Sequence, residues 1–294
     1  MTDAGAGVRL ADYTTLRVGG EAAHFVRADT DEELIEVVAE CDRTGEPLLV
    51  LGGGSNLLIS DDGFPGTVLQ VKTGGIKVAE NDPGTARVRA SAGVNWDQFV
   101  AEAVSSQWVG IEMLSGIPGL VGATPIQNVG AYGSDVSATI ESVEVWNRRT
   151  NQLQTIRPEE CAFGYRMSLF KRQPGHFLVL AVNFYFEVGH QGTPIAYPEL
   201  ATTLGVEVGG RAPAAAVRSS VLEIRARKGM VLDEQDHDTW SAGSFFTNPI
   251  LNEEQAALLP AKAPQWPTEG NVKTSAAWLI QAAGFTRGSP ATDQ

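Results

Sequence analysis

Apolar positions along the chain follow two spacings. Behind Thr30, with Asp31, Glu32 and Glu33 in the first turn, Leu34, Val37, Val38 and Cys41 recur every three or four residues and Gly45 follows, so a capped amphipathic helix is predicted. Pro47 then opens LLVLG, a short buried-strand pattern that runs into GGGSN, and LLIS resumes as a strand-like run before the Asp61-Asp62-Gly63 turn. The glycine loop is therefore expected between two strands.

Residues 67 to 92 read as successive strands, TVLQV, IKVAE and ARVRASA, separated by turn residues such as Gly74-Gly75. Asn95 caps a second helix through Phe99, Val100, Ala103 and Val104, and Gly110 lies beyond its end. Strand patterns return at 141 to 147 and 177 to 188; the second, FLVLAVNFYFEV, is almost continuously apolar, as a central strand would be. Gly189 to Pro198 is turn-rich and predicts a domain boundary. Pro213 starts a helix through Val217, Val221, Leu222 and Ile224, and a last helix runs from Ser275 to Ala283. Disorder is expected only at the two ends.

At 294 residues, 43% hydrophobic and 19% charged, the chain has room for two ordinary domains. A formal charge of -13 argues against a nucleic-acid or anionic-membrane surface, which needs a basic footprint. The densest basic stretch is Arg218, Arg225, Arg227 and Lys228, either a local pocket for a small anion or a solvated helix face. Cys41 and Cys161 stand in apolar contexts and read as buried free thiols of a reducing compartment. With neither a signal-peptide pattern nor an apolar run of membrane length, a cytoplasmic location is expected. The four histidines show no metal-ligand spacing, so no metal is expected.

Four motifs carry chemistry. LGGGSNLLIS, residues 51 to 60, places three glycines after a strand, where backbone N–H groups can form a nest for a pyrophosphate; it lacks the third glycine of the dinucleotide fingerprint and the Gly-Lys-Ser/Thr end of a P-loop. GIPGLVGATPIQNVGAYG, residues 116 to 133, lets backbone pack closely on a flat ligand while Gln127 and Asn128 offer amides. FGYRMSLFK, residues 163 to 171, and AGSFFTNP, residues 242 to 249, complete the set. Together with the opening YTTLRVGG, they resemble the UDP-N-acetylenolpyruvoylglucosamine reductases, flavoproteins of peptidoglycan synthesis.

The resemblance implies an α+β chain: an FAD-binding domain of the vanillyl-alcohol-oxidase (PCMH) type over 13–190, made of two subdomains, then a smaller α+β substrate domain over 191–294. It implies that Arg166 and Ser244 are catalytic. It implies that FAD is held noncovalently, since neither glycine loop has a histidine or cysteine to tether it, by Gly52, Gly53, Gly54, Ser55, Asn56, Leu57, Ile117, Pro118, Gly122, Ala123, Gln127, Asn128 and Gly130. NADPH would be the reductant. The substrate, UDP-N-acetylglucosamine enolpyruvate, would meet Tyr132, Tyr165, Tyr197, Lys228 and Asn248. Position 247 is threonine, where many members carry lysine. The rival readings are another flavin oxidoreductase of the same superfamily and a catalytically silent flavin-binding fragment.

The match runs from residue 13 to 288, whereas members continue past the Trp278 helix into a segment with a catalytic glutamate. The chain is accordingly expected to be truncated there rather than divergent, with no residue assigned to that third role, the FAD domain intact, the substrate domain poorly stable and the protein a monomer.

Overall fold

The computed structural model describes residues 2–5, 7–79, 83–241, 243–268 and 270–286. The chain forms two compact units, Met1–Ala242 and Gly243–Gln294.

The first unit is built on two sheets. In one, β1 (Thr2–Gly5) and β2 (Val8–Arg9) pair antiparallel with β3 (Glu21–Ala28), and β4 (Leu48–Leu51) and β3 flank β5 (Phe64–Val71) in parallel. Parallel strands need a crossover, and α1 (Asp31–Thr44) supplies it. The Thr30 side chain accepts from the Glu33 N–H at 3.2 Å, Glu33 accepts from the Asp29 N–H at 2.8 Å, and Gly45 closes the helix in the left-handed region. The apolar stripe Leu34, Val37, Val38 and Cys41 packs on Leu69, Val71, Leu178 and Leu180, so one helix face covers residues of both sheets.

The second sheet takes β6 (Ile76–Val78), β7 (Thr85–Ser91) and, after α2 (Trp96–Ser105), the short β8 (Trp108–Val109). A small hairpin, β9 (Gly130–Ala131) and β10 (Ser134–Asp135), precedes its remaining strands, β11 (Ile140–Asn147), β12 (Gln152–Ile156) and β13 (Phe177–Val188). The order is β12-β11-β13-β7-β6, antiparallel throughout, and the near-continuous apolar run of β13 takes the central place its pattern predicts. Here α2 buries Trp96 and Phe99 against Phe184 and Phe186, with Phe99 and Phe184 rings 4.9 Å apart and Trp108 stacked on Phe186 at 5.9 Å. Each such pair adds about 1 kcal/mol to area burial.

Two short helices flank this part of the chain: α3 (Pro158–Cys161) precedes the FGYRMSLFK motif, and α4 (Leu169–Arg172) takes in its last three residues. Beyond β13 come α5 (Pro198–Leu204) and α6 (Ala214–Arg227). Gly189 to Tyr197 is irregular, yet the chain beyond it stays with the first unit, and the break in packing falls after Ala242. The reason is a set of long-range contacts: Ile195, Leu200, Val217, Val221 and Ile224 pack around Met113, and fully buried Glu112 accepts from the Thr193 N–H at 2.6 Å and hydroxyl at 2.9 Å.

LLIS forms no strand. Ser60 O instead accepts from Gly20 N and Gly63 N, which draws the segment in against the start of β3, and Ile59 packs beside Leu10 and Phe25. Thr2–Gly5, expected to be disordered, pairs with β3, while residues from 287 on lie outside the described ones. No helix among the described residues is long and apolar enough to cross a membrane.

The second unit is a three-stranded antiparallel sheet, β14 (Ile250–Leu251), β15 (Gln265–Thr268) and β16 (Asn271–Thr274), with β16 central, plus α7 (Glu253–Ala257) and α8 (Ala276–Ala282). Asn252 and Gln255 form a reciprocal capping box on α7, and Ser275 caps α8. Among its described residues the buried side chains are small, Ala256, Ala263, Thr274 and Ala276, whereas Phe245, Phe246, Leu258 and Phe285 are exposed.

Candidate active site

The two glycine motifs meet. The Ser55 hydroxyl donates to the Pro118 carbonyl at 3.1 Å, and a Cβ on Gly53 would stand 2.8 Å from the Gly119 Cα. Gly54 has φ of +60°, and a Cβ there would come within 1.9 Å of the Tyr13 carbonyl oxygen, so both positions exclude any side chain. The Gly54 carbonyl in turn accepts from Thr15 N, which places the YTTLRVGG opening beneath the loop. Among the described residues, the N–H groups of Gly53, Gly54, Ser55 and Asn56 meet no protein acceptor, as expected of a nest built for an anion. Gly52 faces Leu120, Asn56 is exposed, and Leu57 packs into the cluster around Leu10 and Phe25.

The second motif is carried by the start of α2. Gly122 N and Val121 N donate to Ala92 O and Val94 O, Trp96 N donates to Gly119 O, and the Trp96 indole N–H donates to Leu114 O. A Cβ on Gly122 would lie 2.5 Å from that of Ala92. Ile117 is partly buried against the α2 core and Ala123 is exposed.

From there the chain reaches the third motif. Buried Asn128 donates through Nδ2 to the Gly164 carbonyl at 3.2 Å and accepts from Ser137 N at 3.2 Å; Gln127 beside it is half-buried. Arg166 donates through Nη2 to the Gly130 carbonyl at 2.6 Å. The buried Ser168 hydroxyl donates to the Ile126 carbonyl and accepts from Lys171 N, and Lys171 Nζ donates to the Arg166 carbonyl at 3.0 Å. Asn128, Tyr132 and Arg166 all have positive φ, at 46°, 53° and 53°, so backbone strain gathers where these motifs touch. The Tyr165 ring is exposed.

A polar cluster adjoins the end of the glycine stretch. Tyr132 lies edge-on to Tyr197 with ring centres 5.3 Å apart, and burial pushes its phenol above the ordinary value. Lys228 pairs with Glu199 at 2.6 Å. Arg225, buried at 6% exposure, donates to the Met230 carbonyl at 2.9 Å, yet its Nε has no partner and lies 3.2 Å from where a Gly116 Cβ would be. Burial draws its basicity down, against the nearby Tyr132 and Asp97. The sequence shows Arg225 only as part of a basic run; its burial, which depends on how α6 docks, is what marks it. Asp97 was also missed: its Oδ1 accepts from Gly116 N at 2.6 Å while its carboxylate takes both ends of the Arg218 guanidinium.

Ser244 and Asn248 belong to the second unit. Ser244 is exposed beside Phe245 and Phe246, and Asn248 Oδ1 accepts from Ala276 N at 3.1 Å, fixing the start of α8. No cluster of metal-ligating side chains occurs among the described residues. Glycines that admit no Cβ, unpartnered N–H groups and an orphaned buried guanidinium nitrogen together fit a flat, anionic dinucleotide such as FAD.

Residues 22–156 match the family model of an FAD binding domain. The chain is 52% identical to the UDP-N-acetylenolpyruvoylglucosamine reductase of Cutibacterium acnes, over 97% of this chain and 75% of that protein. It is 50% identical to the reductase of the same name from Salinispora arenicola, over 96% and 79%. Among solved structures, the UDP-N-acetylenolpyruvylglucosamine reductase of Thermus caldophilus superposes with a TM-score of 0.60 at 28% identity, over 96% of this chain and 81% of that one.

Proposed function

The chain belongs to the UDP-N-acetylenolpyruvoylglucosamine reductase family, and from that premise we propose a division of labour in which the glycine loops seat FAD, Arg166 holds the substrate carboxylate and Ser244 donates a proton. The protein is an FAD-dependent oxidoreductase that reduces UDP-N-acetylglucosamine enolpyruvate to UDP-N-acetylmuramate. The change adds a hydride to the terminal enolpyruvyl carbon and a proton to its neighbour, so that the double bond becomes single. Bound FAD would supply that hydride after accepting it from NADPH.

The chain's own residues do the rest. Hydride addition at the terminal carbon sends electron density toward the carboxylate, and a fixed guanidinium stabilises that charge better than mobile water does. Arg166 spends one N–H on the Gly130 carbonyl, which leaves the other arms of its fork for a carboxylate. A serine hydroxyl is a weak acid, but the carbon it would protonate is far more basic, so Ser244 can transfer its proton within about 3 Å. Tyr132, Tyr165, Tyr197, Lys228 and Asn248 would bind the sugar nucleotide. A cytoplasmic location, in keeping with the free buried thiols of Cys41 and Cys161, and a monomeric state belong to the same reading.

The observation that carries it is the 2.6 Å anchor of Arg166 on Gly130, inside the loop that Ser55 ties to the first glycine motif. The test is to record the visible spectrum of the purified chain and add NADPH anaerobically, then UDP-N-acetylglucosamine enolpyruvate. A flavin spectrum that bleaches and then recovers is expected. Bleaching without recovery would overturn turnover by this chain, and no flavin at all would overturn the role of the glycine loops.

A further inference from the structure

We propose that Asp97, with Arg218 as its partner, is a positioning residue that sets the flavin-facing loop and couples it to the helix carrying Arg225 and Lys228. The inference rests on the reading of the glycine loops as the FAD seat. Five hydrogen bonds hold residues 114–122 against the segment 92–97, and four of them come from backbone groups or the Trp96 indole. The fifth comes from a charged side chain: Asp97 Oδ1 accepts from Gly116 N at 2.6 Å, at the residue that opens GIPG.

The same carboxylate faces α6. Arg218 donates from Nη1 to Oδ1 at 2.6 Å and from Nη2 to Oδ2 at 2.9 Å, a bidentate bridge with side-chain exposures of 17% for Arg218 and 35% for Asp97. Gly116, with φ of +71°, is where α6 approaches most closely: a Cβ there would meet Leu222 at 2.9 Å and Arg225 Nε at 3.2 Å. Two turns beyond Arg218, the same helix presents Arg225 beside the loop, and Lys228 follows at its C-cap. Asp97 therefore joins in one carboxylate the N–H that shapes the loop and the cation that fixes the helix. A planar, two-pronged pair sets orientation as well as distance, and the small displacement its loss allows is of the kind that ligand geometry feels.

The experiment removes and restores FAD in the full chain and measures its affinity by fluorescence, together with the melting temperature of the flavin-free protein. Asp97→Asn keeps an acceptor for Gly116 N but loses the pair, and Arg218→Leu removes the pair from the other side. Each is expected to weaken FAD binding about tenfold, the double variant no more than either alone, and Arg218→Lys to recover part of the loss. Asp42→Asn, which breaks the comparable Arg148 bridge away from both loops, is the control expected to lower melting temperature without changing FAD affinity. FAD affinity within twofold of wild type in both Asp97→Asn and Arg218→Leu, or an equal loss in Asp42→Asn, would overturn the proposal. A wild-type chain that takes up no FAD would instead sink the reading beneath it.

Discussion

Arg166 and Ser244, the two residues proposed for catalysis, are held in opposite ways. Around Arg166 the chain is over-determined: its guanidinium is anchored on Gly130, its carbonyl by Lys171, and its neighbours by Asn128 and Ser168, both buried. Ser244 stands exposed in a stretch whose aromatic residues, Phe245 at 77% and Phe246 at 61%, are exposed as well. A group that must hold a charge in one orientation gains from preorganisation, since donors already in place need no rearrangement when charge develops. A proton donor needs only to come within reach of one carbon, so its position can be completed by the ligand. The contrast implies that Arg166 is set by the fold and Ser244 by the bound state.

The largest expected effects break each half of the contrast directly. Arg166→Ala should lower turnover by about 1,000-fold with FAD still bound, and Ser244→Ala by roughly 100- to 10,000-fold, both read as NADPH oxidation dependent on the sugar nucleotide. The second variant should still be bleached by NADPH at the wild-type rate. If Arg166→Ala lost FAD as well, Arg166 would be part of the cofactor seat rather than a separate substrate anchor.

Next in size are the supports. Asn128→Ala removes the amide that bridges the Gly164 carbonyl and the Ser137 N–H, which keep only Met167 N and Asp135 Oδ1 as partners, and puts a side chain less suited to it at φ of +46°, so it should cost about 1–2 kcal/mol of stability and reduce turnover. Phe245→Ala should change the melting transition by no more than about 0.5 kcal/mol, as exposed substitutions do. Equal losses from the two would mean that the Ser244 segment is as firmly held as the Arg166 loop.

The motifs were legible in the sequence because their spacing is local: GGGSN follows a strand, Asn95 and Thr30 are side-chain caps, and β13 is an unbroken apolar run. What could not be read was long-range. LLIS has the composition of a strand, but the draw of Ser60 O on Gly20 N leaves it without a ladder. The turn-rich stretch at 189–198 looks like a boundary from composition, and the tie from Glu112 to Thr193, eighty-one residues apart, keeps the chain beyond it in the same unit. Asp97 and Arg225 carry no motif at all; one is separated from Arg218 by 121 residues, and the other is distinguished by its burial and an unpartnered Nε. Sequence thus reveals residues that recur in a pattern and hides those whose role is conferred by docking.

The smallest effect sharpens the comparison most cleanly, because it uses a reporter already in the chain. Cys161 is fully buried where α3 meets the Arg166 loop, and burial, with Glu160 and Glu159 adding to it, pushes its thiol up to about 12. A thiol at such a value is un-ionised at neutral pH and inert toward disulfide reagents unless the base of the loop opens. Native Cys161 should therefore resist labelling at pH 8, whereas a cysteine introduced as Ser244→Cys should react within seconds at that exposed position. The sign of the accompanying pH effect follows from the raised value. The folded thiol keeps its proton where the unfolded one, with an ordinary value of 9.0, gives it up, so this stabilisation is complete below about 9 and is lost as pH rises toward about 12. An alkaline melt followed by Cys161 labelling should lag behind labelling of Ser244→Cys at every pH. If the two sites labelled together, the Arg166 loop would be opening as freely as the Ser244 segment, and preorganisation could not account for how Arg166 holds its charge.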